Sequence, residues 1–322
     1  MTRDRRVDLL LLGVAVVWGS SYLAAKVLLD VVGVLPLLAL RYAGAAVALA
    51  AVVAVTRARV GREELRCGVL LGLSQAAILA LETYGVAGTS ATNAGLLISL
   101  TILLTPGFEG IVRRSWLPPA FFAAALVAVV GVALLVSASG GRLVFRVPNH
   151  GDLLVLAAAV VRAGHVTAIG RVTRTRDLDL RGLTFVQTAL GAALFTVLDP
   201  GGVSRAVAHA SPGQWAGIAY LALGCSVFAF LAQSWAVHRT SAARASLLLG
   251  TEPLFAVLVG VLLGGELLGP LGALGAVLIL AGTAWGQRVE RLARVRTAVP
   301  EPPPGPHPVV AADGPRPTSG RA

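Results

Sequence analysis

Long apolar stretches recur along the chain with a length and spacing foreign to a soluble core. Ten runs stand out, at roughly residues 9–29, 34–55, 67–86, 92–112, 118–138, 152–170, 183–198, 214–236, 243–263 and 269–287. A spanning α-helix needs about 20 mostly apolar residues, so each run can cross a bilayer or nearly so, the seventh being the shortest. Non-helical backbone cannot face lipid, where its N–H and C=O groups would have no partners, and the runs lack the alternation of a membrane barrel. The pattern predicts an all-α membrane protein with ten transmembrane helices.

The arginines test that map. Segments 1–8, 56–66, 113–117, 171–182, 237–244 and 288–322 carry most of them, whereas the opposite connections carry only Arg142, Arg146 and Arg205. Cytoplasmic loops attract Lys and Arg, so both termini are expected in the cytoplasm, in agreement with an even helix count. The first run continues apolar to Leu29, longer than the 7–15-residue core of a cleaved signal peptide, and reads as a retained helix. Residues 291–322 read as a disordered, Pro-rich cytoplasmic tail, with Pro300, Pro302, Pro303, Pro304, Pro306 and Pro308 in a stretch lacking any apolar period.

Composition sharpens the class. Hydrophobic residues make up 56% of the 322 and charged residues 13%, against roughly 25% charged in soluble domains. The net charge of +11 invites a nucleic-acid reading, but the arginines sit in short clusters between apolar runs and not on one face of a domain, so no nucleic-acid partner is expected. Lys26 is the sole lysine and stands in Ala-Ala-Lys-Val, which excludes a Gly-Lys-Ser/Thr phosphate loop and an ATP-driven pump built on this chain. Cys67 and Cys225 are far apart, neither begins a CxxC, and the histidines are scattered. Neither a metal nor any other cofactor is expected; the partners anticipated are a small-molecule solute and membrane lipid.

An internal repeat appears when the sequence is shifted by 151 residues. Thr89-Ser90-Ala91-Thr92-Asn93-Ala94-Gly95-Leu96-Leu97 then meets Thr240-Ser241-Ala242-Ala243-Arg244-Ala245-Ser246-Leu247-Leu248. Without a gap, Leu117 meets Leu268, Pro119 meets Pro270, Ala125 meets Ala276 and Gly131 meets Gly282. The chain is thus expected to comprise a five-helix repeat over 1–140 and a second over 141–290. Five is odd, so the second copy starts on the opposite side of the membrane and is inverted, an architecture of transporters whose site lies near the midplane between the halves.

Several motifs resemble those of the EamA-type members of the drug/metabolite transporter superfamily. They are Trp18-Gly19-Ser20-Ser21-Tyr22, Leu40-Arg41-Tyr42, the stretch from Thr89 to Leu100, Thr251-Glu252-Pro253-Leu254-Phe255 and Leu263-Gly264-Gly265-Glu266. The resemblance spans about residues 8–288 and implies a five-plus-five inverted repeat that carries small organic solutes, most often by export, across the cell's inner (plasma) membrane. The chain departs from the family where Thr101-Ile102 faces Glu252-Pro253 across the repeat, and at Arg162, where the family often has an aromatic residue.

Charge inside a membrane span costs roughly 2.5–3.5 kcal/mol on insertion scales and so tends to face a cavity or a partner. Arg41, Glu82, Glu109, Arg162, His165 and Glu252 meet that description, with Lys26 and Asp152 nearer helix ends. Glu82 shares a helix face with Gln75, and the repeat sets Gln233 opposite Glu82 and Ser226 opposite Gln75. A poorly solvated carboxylate there could bind and release a proton, or else form a static pair, for instance with Arg41. Glu252 precedes Pro253, which is expected to open the middle of the ninth helix. Arg162 and His165 share a face: together they could hold an anionic group, His165 could relay protons or simply pack, and Arg162 could pair with Glu82 or Glu252. Trp18 and Tyr22 either line the site or pack. Thr101, Thr105 and Glu109 step by four around Pro106, a candidate hinge, with Glu109 expected in a surface pair with Arg113. Asn93 is a candidate gate or cap.

Two other classes compete with a carrier. An intramembrane hydrolase would have to rest on Ser20 or Ser21 with His165, without any GxSxG or HExxH, and the chain is not expected to be an enzyme. A scaffold or sensor would need a folded soluble domain, which these short loops do not supply.

Overall fold

The computed structural model of the protein describes residues 3–88, 97–138, 149–264 and 269–298. Within them every element is a helix: α1 (Arg3–Val32), α2 (Val34–Thr56), α3 (Arg62–Gly88), α4 (Thr101–Arg113), α5 (Pro119–Ala138), α6 (His150–Thr175), α7 (Leu180–Leu198), α8 (Pro200–His209), α9 (Pro212–Arg239), α10 (Ala242–Leu249), α11 (Glu252–Gly264) and α12 (Pro270–Ala298). Among the described residues six helices are long and apolar enough to cross a membrane, namely α2, α3, α6, α7, α9 and α12, and α5 adds a shorter apolar helix. The protein is a multi-pass membrane protein. Large apolar side chains such as Val47, Val55, Leu70, Val277 and Leu280 point outward from these helices, as a lipid solvent permits.

Local chemistry sets the helix ends. The chain turns from α1 into α2 through Gly33 at φ +84°, a left-handed backbone suited to a residue without Cβ. Asn149 and Asp152 close a reciprocal capping box at the start of α6, each side chain accepting the other's backbone N–H at 2.8 and 3.0 Å. Asp152 is therefore spent on a cap. Asp199 caps α8 by accepting the Gly202 N–H at 2.8 Å, so a short helix fills a connection that the sequence predicts as loop.

Runs 243–263 and 214–236 depart from simple spans. Residues 243–263 do not form one helix: α10 ends at Leu249 and α11 begins at Glu252. Pro253 therefore lies in the first turn of α11, where a missing N–H breaks no helical bond; it does not open the middle of a helix. The second departure is in α9, where Leu223–Phe228 form a π-turn, a single widened turn that such helices often place at functional sites.

The last helices of the two repeats, α5 and α12, pack backbone against backbone. A Cβ added at Gly131 would lie 2.7 Å from the Gly275 carbonyl oxygen and the Ile279 nitrogen, and one at Gly282 would lie 2.7 Å from the Ala124 oxygen and the Ala128 nitrogen. Gly275 and Ile279 are the 151-residue images of Ala124 and Ala128, so the two contacts are images of each other, as in a two-fold interface. Partner numbers fall on one helix as they rise on the other, so the two equivalent helices run antiparallel.

Ion pairs gather the arginine-rich segments at one end of the bundle. Arg59 between α2 and α3 meets Asp177 between α6 and α7 at 2.9 Å, Arg176 meets Glu63, and Arg174 at the end of α6 meets Glu109 of α4 at 3.4 Å. Burial pushes the Asp179 carboxyl up, but the Arg181 guanidinium and the Arg181 and Arg59 backbone N–H groups outweigh it and hold the group below the ordinary aspartate range.

Candidate functional site

Arg162 is the hub of a polar group inside the bundle. From α6 its guanidinium pairs with Glu82 of α3 and lies 3.8 Å from Glu252 at the start of α11. The same guanidinium sits over the Trp18 indole of α1, 5.4 Å from the ring centre, a cation–π arrangement worth more where water is scarce. All three ionisable side chains are largely withdrawn from solvent, at 18%, 16% and 8% exposure for Arg162, Glu82 and Glu252. One cation and two carboxylates leave the group with one excess negative charge when all are ionised.

A narrow cleft opens beside Arg162 and Glu252, walled by Ser99, Thr101 and Thr105, by Gln233 of α9, by Ser246 and Leu249 of α10, and by Gly250 and Pro253. Its volume of about 20 Å³ is on the order of one water molecule, so this conformation is closed around the site. A larger groove of about 560 Å³ lies elsewhere, bordered by Tyr84, Asp199, Arg205, His209 and Gln214. Two of its polar groups are already committed, Asp199 to the cap of α8 and Gln214 to a capping box with Ser211.

The π-turn of α9 supplies a second contact between the repeats. The Cys225 carbonyl accepts the Trp18 indole N–H at 2.9 Å and an Arg41 N–H at 3.3 Å, and Arg41 Nε donates to Ser226 Oγ at 2.8 Å. The static partner suggested for Glu82, Arg41, is thus elsewhere engaged, and Arg162 takes that role. The π-turn had no signal in the residue pattern, because Leu223–Phe228 read like any other apolar turn.

The remaining candidates divide. Gln233 joins the cleft, while Gln75 is buried beside the Tyr42 hydroxyl. His165, three residues from Arg162, is buried and its Nδ1 pairs with Ser74 Oγ at 2.7 Å. Pro106 lies within α4 between Thr105 and Glu109. Glu109 is no surface residue: it is 6% exposed and accepts the Ala243 backbone N–H at 2.8 Å in addition to meeting Arg113 at 3.2 Å. The Tyr22 side chain and Asn93 lie outside the described residues. Among the described residues no three His, Cys, Asp or Glu side chains cluster as metal ligands would.

Sequence and structure comparisons agree with this architecture. The model of the EamA-like transporter family matches the chain twice, over residues 5–137 and 149–285. An uncharacterized transporter of Archaeoglobus fulgidus is 26% identical over 278 residues, spanning 85% of this chain and 83% of the relative. A crystal structure of a protein 20% identical in sequence superposes with a TM-score of 0.72 over 90% of this chain and 99% of that one. That likeness speaks for a common fold.

Proposed function

We propose that this chain, which belongs to the EamA-like transporter family, carries a small polar or amphipathic organic solute across the plasma (inner) membrane by alternating access. In this reading ten helices form two inverted five-helix repeats over 1–140 and 141–290, and the arginine-rich face, with both termini, is cytoplasmic. The observation that carries the reading is Arg162 held between Glu82 of the first repeat and Glu252 of the second. Isolated charges are too costly to leave buried, and here they meet between the repeats, beside the closed cleft.

The 3.8 Å pair of Arg162 and Glu252 is loose, and a solute bearing both a carboxylate and an ammonium group can insert there. Its carboxylate meets the guanidinium fork, its ammonium meets Glu252, and an apolar side group rests on Trp18. Proton uptake by Glu82 or Glu252 as the solute leaves would couple transport to a proton gradient. Export is the direction the family resemblance favours.

The test is flux into or out of proteoliposomes of the purified protein, with amino acids, other zwitterions and cationic drugs as solutes, with and without a pH gradient. Saturable flux that Arg162→Met abolishes supports the reading; no carrier-mediated flux for any of these classes, in protein shown to be folded, removes it. Flux that Glu82→Gln leaves equally sensitive to the pH gradient takes Glu82 out of the coupling step.

A further inference from the structure

Below the cleft, at the arginine-rich end, lies a second set of buried charges that the solute site does not use. Arg244 in the first turn of α10 is 1% exposed, and its guanidinium grips Asp8 of α1, with Nη2 at 2.7 Å from both carboxylate oxygens and Nε at 2.9 Å from one of them. Glu290 of α12 stands 3.8 Å from the same guanidinium and accepts the Ser241 hydroxyl at 2.8 Å. Alongside, Glu109 of α4 accepts the Ala243 N–H and meets Arg174 of α6. Asp8 and Glu109 come from the first repeat, whereas Arg174, Ala243, Arg244 and Glu290 come from the second.

Three of the helices that carry these groups, α4, α6 and α10, also wall the cleft. On α4, Thr101 and Thr105 line it, and Glu109 follows one turn after Thr105. On α10, Ser246 lies about 3 Å and Leu249 about 7.5 Å along the axis from Arg244, at about 1.5 Å per residue, and both line the cleft. Asp8 and Glu290 reach the cleft wall through Arg244 of α10. The repeat equivalents of Arg244 and Glu290 are Asn93 and Ser139, which carry no charge, so the sequence repeat does not duplicate this set of charges.

We infer that Asp8, Arg244 and Glu290, with Glu109, form the cytoplasmic gate of the solute cleft, closed in this structure and broken when the cleft opens toward the arginine-rich face. The inference rests on the transport reading above. A buried ion pair gives little net stability over an apolar contact of the same shape, yet it is costly to leave half-broken, which suits a contact that must be either made or fully parted. Asp8 keeps 16% exposure, so water can reach the pair as it separates.

The test uses a reporter thiol, Ser246→Cys, in a chain whose Cys67 and Cys225 are replaced by alanine. Vesicles of either orientation are treated with a charged, membrane-impermeant methanethiosulfonate. A control thiol at Thr175→Cys, exposed beside Arg174 and Arg176, identifies the vesicles that present the arginine-rich face. Asp8→Asn and Glu290→Gln are expected to raise labelling from that face about tenfold, the scale of an ordinary coupling between sites, and to leave labelling from the other face unchanged. Asp8→Glu, which keeps the charge on a longer arm, gives the same one-sided rise on a milder scale if the neutral variants do not fold. Unchanged labelling, or an equal rise from both faces, overturns the gate and leaves a structural staple. Labelling needs no solute, so failure of the gate and failure of the transport reading are read separately.

Discussion

Replacing Arg162 by methionine removes the cation that joins Glu82 and Glu252, two carboxylates that are 16% and 8% exposed. Breaking a buried pair by deleting one partner costs about 3–5 kcal/mol, because the remaining charge keeps its desolvation penalty without its compensation. Loss of the contact with Trp18 acts in the same direction, though not additively. Arg162→Met is therefore expected to lower stability by about 3–5 kcal/mol, read by equilibrium unfolding in mixed micelles at neutral pH. The triple variant Arg162→Met, Glu82→Gln, Glu252→Gln removes all three charges and should return to within about 1 kcal/mol of the parent, since uncharged replacements of buried ion pairs are often neutral. That variant separates the two roles the triad could have: if the charges serve the solute, it is stable and transports nothing. A single variant as stable as the parent, or a triple variant no better than the single, refutes the electrostatic account. Full transport by the stable triple variant refutes the assignment of the site.

Three further outcomes follow from particular contacts. Gly131→Leu forces a side chain into the main chain of α12 and should destabilise by about 1–3 kcal/mol or more, and Gly282→Leu should act alike; the double variant should cost less than the sum, both wedges parting the same helix pair. Pro253→Ala should change unfolding free energy by less than about 0.5 kcal/mol, whereas a mid-helix proline, once replaced, would return about 3 kcal/mol. Asp179 is held below its ordinary value, so its contribution is present above about pH 4 and is lost as pH falls through its folded value; the gap in melting temperature between parent and Asp179→Asn should narrow as the pH is lowered from 7 to about 3.

The apolar runs made most of the helices legible, because lipid demands long uninterrupted stretches and the chain has little freedom to hide them. The convergence of Glu82, Arg162 and Glu252 could be anticipated only as a shortlist: charge in a span must find a partner, but which partner depends on helix rotation. Arg41 illustrates the difficulty. It matched Glu82 on chemistry, yet the widened turn of α9 offers it a carbonyl and a hydroxyl instead. Arg244, Asp8 and Glu290 were hidden for a different reason. Each sits at the edge of an arginine-rich segment, where charge is ordinary, and 236 positions separate Asp8 from Arg244. Glu109 looked like half of a surface pair because Arg113 stands one turn away, and the backbone N–H it also serves carries no side-chain signature.

The glycine crossing of α5 and α12 bears on how such a molecule can cycle. If its inward-open and outward-open forms are related by the two halves trading shapes, most contacts between the halves must be remade at every turnover. A contact lying on the axis that relates them is its own image, and trading shapes returns it to itself. The seam where Gly131 and Gly282 admit the opposing main chain is such a place, so it can be welded as tightly as atoms allow without slowing the cycle, an axle about which the remaining helices swing.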